Sequence, residues 1–152
     1  MVKLVLVVGL AGAGKSHMIG QMVKSGDYID FGEGFHPHFD PPAFRHRFAD
    51  LVAKLQAGQN CIVTELALCQ EGLRRKVIPT INDAVPNVEI VWKVFENDKH
   101  KAEANLRRRE SDPRGFLEIN ERMSQVYSYP AGVAPIAIVT NWPSPNSPEP
   151  TV

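Results

Sequence analysis

The chain has no charge surplus: 17 Lys and Arg balance 17 Asp and Glu over 152 residues. Proteins that grip nucleic acid or anionic membrane over a wide surface carry a basic excess, so no such footprint is expected, and any nucleic-acid contact must use a local basic patch. Cysteine is scarce. Cys61 and Cys69 have no metal-like spacing, and two reduced thiols in a cytoplasmic protein are the expected reading. No apolar run is long enough to span a bilayer, and no internal repeat is visible. The start, Met1-Val2-Lys3 followed by apolar and small residues, has the outline of a secretory leader. The most informative motif lies inside it, however, and cleavage would destroy that motif, so the segment reads as a first strand. Hydrophobic residues make up 43% of the chain, which suits one core in a single domain.

That motif is Gly9-Leu10-Ala11-Gly12-Ala13-Gly14-Lys15-Ser16, which reads G-x-x-x-x-G-K-S, the phosphate-binding P-loop. Its flanks agree. Lys3 to Val8 is a β-branched apolar run of buried-strand length. Ser16 to Lys24 carries Met18, Ile19, Met22 and Val23 at the spacing of a helix buried on one face. Glycines let backbone N–H groups close around phosphate oxygens, and the helix that follows presents unpaired N–H groups and a positive dipole end. Gly12, Ala13, Gly14, Lys15, Ser16 and His17 are therefore the candidate nucleotide-binding residues. Lys15 is suited to the β- and γ-phosphates and Ser16 to Mg²⁺. The expected ligand is a nucleoside triphosphate.

Strands and helices then alternate. Tyr28 to Phe31 reads as a short strand with Asp30 near its C-terminal end, where open α/β sheets place ligands. Asp30 either accepts a proton from a substrate hydroxyl or hydrogen-bonds its own loop. His36, His38 and His46 lie in a Pro- and Phe-rich stretch that reads as a loop with scattered histidines rather than a zinc site. Pro42 to Ala57 turns helical, with Phe44, Phe48, Leu51, Val52 and Leu55 on one face and Gly58 as its stop. Arg45 and Arg47 lie elsewhere on that helix, towards substrate or simply solvated. Cys61 to Glu65 is a buried strand ending on an acid, so Glu65 joins Ser16 as a candidate metal residue. Gln70 to Thr80 reads as helix with Pro79 at its end or at a kink, and Asn82 to Asn87 as a turn. Val88 to Phe95 reads as a strand, and Asp98 as the cap of a helix running to about Arg109. Arg107-Arg108-Arg109 and the loop from Glu110 to Gly115 form an arginine-bearing flap suited to neutralising a transferring phosphoryl group. Phe116 to Tyr127 is a further helix with Leu117, Ile119, Met123 and Val126 as packing residues, and Pro135 to Thr140 a last strand. The result is a three-layer α/β fold with five parallel strands, the P-loop strand central. It spans residues 1–142, and residues 143–152 read as a disordered Pro-rich tail.

Residues up to about Trp142 resemble the small P-loop kinases, most closely the polynucleotide kinase-like branch of the AAA-type P-loop kinase domains. Four features carry the likeness: Gly9 to Ser16; the acid-ended strand Cys61 to Glu65 with Arg74 beyond it; Asn105-Leu106-Arg107-Arg108, similar to that branch's arginine-rich lid; and Ile119 to Pro130, similar to the segment after the lid. The resemblance implies strand order 2-3-1-4-5, ATP with Mg²⁺, and phosphoryl transfer to a hydroxyl or phosphate. It puts Asp30 in the place of a general base and Arg108, with Arg107, in the place of the lid arginines on the donor phosphates. Three positions depart from the pattern: His17 where Ser or Thr is usual, Glu65 where Asp is common, and Ala104 where an arginine often precedes the lid asparagine. The expected activity is an ATP-dependent kinase, its acceptor the 5′-hydroxyl of a polynucleotide. A nucleotide or small-metabolite kinase is the alternative, and a non-catalytic nucleotide-binding module the alternative of another class. Phe35, Phe39, Phe44, Arg45 and Arg47 are the residues expected to line the acceptor side.

Overall fold

The run Lys-Leu-Val-Leu-Val-Val has no polar face after its first residue, so it forms a stable strand only where both sides are covered. A computed structural model describes residues 1–33 and 43–140, with the backbone alone for residues 43–46. In it this run is β1 (Lys3–Val8), an interior strand of a parallel sheet, and Leu4, Val5, Leu6 and Val7 are fully buried. Then follow α1 (Lys15–Lys24), β2 (Ile29–Gly32), α2 (Ala43–Gln56), β3 (Cys61–Thr64), a 3-10 turn (Leu66–Cys69), α3 (Glu71–Ala84), β4 (Glu89–Val94), α4 (Lys99–Arg109) and α5 (Arg114–Val126).

The sheet order is β2-β3-β1-β4. β1 pairs with β3 from Leu4↔Cys61 to Val7↔Thr64 and with β4 from Lys3↔Glu89 to Val8↔Val94. Alternation along β1 divides the core. Leu4, Leu6 and Val8 face Leu51 and Leu55 of α2 and Val77 and Ile81 of α3. Val5 and Val7 face Ile19 of α1 and Ala102 of α4. The layers are those the sequence implies, and Asp98 caps α4 as expected, its Oδ1 accepting the Lys101 N–H at 3.1 Å. Among the described residues no helix is long and apolar enough to cross a membrane. The two thiols are buried and unbonded to each other, and burial pushes the Cys69 thiol up to about 11.

The fifth strand does not form among the described residues. Pro135 to Thr140 lies beside the end of β4 but makes a single parallel bridge, Phe95↔Ile136. The Ile136 N–H donates to Val94 O and the Glu96 N–H to Ile136 O, both at 2.8 Å. The ladder stops there for two reasons. Pro135 has no N–H to donate, and the next inward amide, Ile138, donates to the Glu96 side chain at 3.0 Å instead of to a backbone carbonyl. The chain after Glu96 meanwhile turns back on itself, Asp98 N–H to Glu96 O at 3.0 Å. The sheet is thus four-stranded where five were expected.

α3 also departs from expectation. It runs through Pro79 to Ala84, taking in residues read as a turn. The carbonyl that proline deprives of a helical partner is that of Arg75, an exposed residue on the outer side of the helix. Val77 and Ile81, buried on either side of the proline, hold the helix to the core. On α5, Ile119 and Val126 are exposed rather than packed, and the buried residue is Asn120. Residues 34–42 and 141–152 lie outside the description, and with them the histidine loop, Phe35, Phe39 and the Pro-rich tail. The side chains of Phe44, Arg45 and His46 do so too.

Glu96 replaces a strand ladder with one carboxylate, which also pairs with Lys101 at 2.8 Å. The Lys101 ammonium and the Ile138 N–H hold its carboxyl below the usual carboxylate range, so its contribution is present at neutral pH and is lost as pH falls through that lowered value. Glu96→Ala should cost about 1–2 kcal/mol and lower Tm by about 2–6 °C. Amide exchange at Ile138 should accelerate more than at Val5 of the central strand; equal acceleration at both would contradict this account.

Candidate functional site

The P-loop joins β1 to α1, and its conformation depends on two glycines with positive φ, Gly12 at 87° and Gly14 at 105°. Gly12 is constrained twice. A Cβ there would strike the Ala102 carbonyl oxygen and lie 2.9 Å from Leu106 Cγ, so α4 seats directly on the loop. Gly14 caps α1 with no side-chain hydrogen bond, and the first turn holds no acidic residue. The first amides of α1 are therefore left without side-chain capping, an arrangement that favours an anion.

Four consecutive carbonyls of the loop, Gly9 to Gly12, are each occupied. Gly9 O accepts from the Lys15 ammonium. Leu10 O accepts the Ala13 N–H at 3.1 Å. Ala11 O accepts Asn120 Nδ2 at 2.8 Å, and Gly12 O accepts Asn105 Nδ2 at 2.9 Å. Asn120 also accepts the Ala11 N–H, at 2.9 Å, and so grips that residue by both backbone groups.

Lys15 is half-buried, Ser16 exposed and His17 half-buried in the first turn of α1. Burial pushes the Lys15 ammonium down to about 8. Glu33 and Glu65 act against that shift and Arg109 acts with it, so these three side chains are near enough for their charges to be felt at the P-loop lysine. Glu65 stands one residue past β3, its N–H on Val7 O at 3.3 Å and its Oε1 accepting the Ala67 N–H at 3.4 Å. The turn it caps is braced by Arg74, which donates to Leu68 O at 3.0 Å and to Ser128 O and Oγ at 3.2 and 2.9 Å. Arg74 is thus a buried strut whose guanidinium is spent on the backbone and side chain of the fold.

The second-strand acid is a different matter. Asp30 is exposed and accepts the Gly32 N–H at 3.1 Å, holding its own loop. It lines a groove of about 650 Å³ along the open edge of β2, with Arg47, Asp50 and Lys54 of α2, and no P-loop residue belongs to that groove. Pairing of β2 with β3 shifts register between Asp30 and Gly32, and Gly32 has φ of 88°. The next carboxylate beyond that irregularity is Glu33, whose charge is felt at Lys15. Arg47 fixes this bend: it donates to Glu33 O at 2.8 Å and Phe31 O at 2.7 Å, and its guanidinium lies 4.8 Å from the Phe31 ring centroid.

At the arginine cluster, Arg107 is held by Glu103 at 2.6 Å and Arg109 by Glu110 at 3.0 Å, while Arg108 is exposed. No group of three or more His, Cys, Asp or Glu able to hold a metal exists among the described residues. A magnesium ion accompanying a nucleotide needs less protein than that, because phosphate oxygens and water supply most of its ligands. The exposed Ser16 hydroxyl and the Glu65 carboxylate fit that lesser demand.

Sequence reading missed Asn120, and it assigned Asn105 only to a lid pattern. The signal was present. Asn105 interrupts the buried stripe Ala102-Leu106, and Asn120 sits between Leu117 and Met123 on the inward face of α5. A polar side chain on an apolar stripe needs a buried partner, and here that partner is the P-loop backbone.

No protein-family model matches the chain. An uncharacterised protein of Acanthamoeba polyphaga mimivirus is 23% identical over 126 residues, 82% of this chain and 86% of that protein. Among solved structures, a gluconokinase from Sinorhizobium meliloti matches with TM-score 0.56 at 16% identity, covering 93% of this chain and 84% of that one. A chain of the Pnkp1/Rnl/Hen1 RNA repair complex matches with TM-score 0.57 at 16% identity over 82% of this chain. A chain of the PezAT toxin-antitoxin system of Streptococcus pneumoniae matches with TM-score 0.51 at 16% identity, again over 82%. This chain spans 44% of the RNA repair chain and 64% of the PezAT chain. These likenesses are of fold: the chain shares with these kinase-like structures a three-layer arrangement of a small parallel sheet flanked by helices.

Proposed function

We propose that the protein is an ATP-dependent phosphotransferase. The observation that carries this is the convergence on Lys15 of one charge from each of three elements: Glu33 past β2, Glu65 past β3 and Arg109 at the end of α4. A module that only held a nucleotide would need neither an acid on the acceptor side nor an arginine on the lid. Lys15 and the amides of the loop hold the β- and γ-phosphates. Ser16 and Glu65 hold Mg²⁺, which neutralises charge on the phosphates when bound. Glu33, rather than Asp30, takes the proton of an acceptor hydroxyl as its oxygen bonds to the γ-phosphorus and the bond to the β-phosphate oxygen breaks. Arg109, rather than Arg107 or Arg108, closes on the γ-phosphate, because it is the arginine of the three whose charge is felt at Lys15, and in closing it exchanges Glu110 for phosphate. Positioning and charge dominate such a transfer.

The acceptor we favour is a small hydroxyl-bearing metabolite or a nucleotide. Arg47, one of two arginines expected to meet a nucleic-acid backbone, spends its guanidinium on carbonyls and an aromatic face. Zero net charge also argues against a polyanionic acceptor. The likeness to a gluconokinase agrees with a small acceptor, and the likeness to a chain of an RNA repair complex agrees with a nucleic-acid acceptor; the 5′-hydroxyl of a polynucleotide is the second reading.

Transfer of labelled γ-phosphate, screened over sugars, nucleosides, nucleotides and 5′-hydroxyl oligonucleotides, tests the reading. Lys15→Ala should cost several orders of magnitude in turnover. Glu33→Gln should lower kcat by about 10²–10⁴-fold, with Asp30→Asn within about threefold of wild type, a change near the measurement error in free-energy terms. The reverse ranking would restore Asp30 as the base, and acceptor-independent hydrolysis insensitive to both would favour a non-catalytic module.

The lowered Lys15 value gives a separate check. Phosphate anions favour the charged ammonium, so binding raises its pKa and takes up a proton where the free group is partly neutral. Affinity should be independent of this group below pH 8 and fall by up to about tenfold per unit above it. Calorimetry at about pH 8.5 in buffers of different ionisation enthalpy should register proton uptake that Lys15→Met abolishes. Equal uptake by the variant would contradict it.

A further inference from the structure

A trans peptide points its C=O and N–H in opposite directions. The Ala11 carbonyl and the Gly12 N–H belong to one such peptide, and Asn120 pulls the carbonyl outward onto α5 at 2.8 Å. The Gly12 N–H must then point the other way, into the loop. Asn120 grips the preceding peptide as well, since its Oδ1 takes the Ala11 N–H at 2.9 Å and withdraws that amide from any ligand, so the two peptides that meet at the Ala11 Cα are both held. The side chain is 2% exposed, so these bonds meet no competition from water. Asn105 repeats the device one residue on: its Nδ2 holds Gly12 O at 2.9 Å and Val139 O at 2.8 Å. Both asparagines stand on the helices that flank the arginine-bearing loop, Asn105 one turn before Arg109 and Asn120 six residues after Arg114.

We propose that Asn120, supported by Asn105, is a positioning residue that aims the Gly12 N–H at bound phosphate and hinges the arginine-bearing loop on the P-loop itself. The inference rests on the kinase reading above. Its consequence is that the loop is pre-set for phosphate before nucleotide arrives, and that the arginines cannot move as a unit without moving the loop's outer carbonyls.

Three variants test it: Asn120→Leu, which removes both bonds at similar volume; Asn120→Asp, which keeps the acceptor for Ala11 N–H and loses the donor to Ala11 O; and Asn120→Leu combined with Arg109→Ala. Mg·ADP and Mg·ATP affinities are measured by calorimetry on protein shown to unfold cooperatively. Asn120→Leu should weaken Mg·ADP at least tenfold in the folded protein. Asn120→Asp should be similarly weak at pH 8 and recover towards wild type as pH is lowered and the carboxylic acid regains a donor; it carries the test if the leucine variant does not fold. Arg109→Ala should reduce the preference for ATP over ADP in wild type and leave it unchanged in the Asn120→Leu background. A side chain that only anchored α5 would leave the affinity of folded protein, its pH profile and the effect of Arg109→Ala untouched, and that result would overturn the inference while the kinase reading stood. Failure of wild type itself to bind either nucleotide would overturn the kinase reading and this inference with it.

Discussion

A loop built to take phosphate, as proposed for this one, must leave amides unpaired while giving its buried carbonyls donors, and the rest of this molecule is arranged around that requirement. Four consecutive carbonyls, Gly9 to Gly12, are each met by a donor: Lys15, the Ala13 N–H, Asn120 and Asn105. Two of those donors come from α4 and α5, far along the chain, so the loop is completed only when both helices dock. Docking in turn requires Gly12, since any side chain there would collide with the Ala102 carbonyl of α4.

The same requirement explains the side of the sheet beyond β4. α4 must approach the loop closely, and the chain leaves β4 in a tight turn, Asp98 N–H on Glu96 O, to bring it there. Glu96 then serves the following segment with its side chain, through Ile138 N–H, where a further strand would have used backbone. Tyr127 ties the end of α5 to the same place: its hydroxyl donates to Phe95 O at 2.6 Å, and Tyr129 accepts the Asn97 N–H at 2.7 Å. Burial holds the Tyr127 phenol above its ordinary range, so it remains a protonated donor at neutral pH.

The legible parts of the sequence were the local ones. The P-loop, the buried strands β1 and β3, the helices and the Asp98 cap follow from patterns within a few residues. The missing fifth strand, the helix continuing through Pro79 and the burial of Asn120 depend on partners far along the chain, and none of those partners shows in a local window. Two site assignments turn on geometry finer than spacing. A register shift at Gly32 separates Asp30 from Glu33. Three consecutive arginines point about 100° apart around a helix, so composition alone cannot choose among them. The Glu103-Arg107 pair at i,i+4 was a readable sign that Arg107 was already engaged.

The central claim is that the loop presents a defined set of amides to phosphate and withholds the rest. It is tested most directly by following backbone amide resonances on addition of Mg·ADP. The account predicts large shifts and slowed exchange at Gly12, Gly14, Lys15 and Ser16. The Ala11 N–H, already bonded to Asn120, should barely move. Shifts confined to the β2 edge groove around Asp30 and Lys54, with the loop amides unchanged, would contradict it.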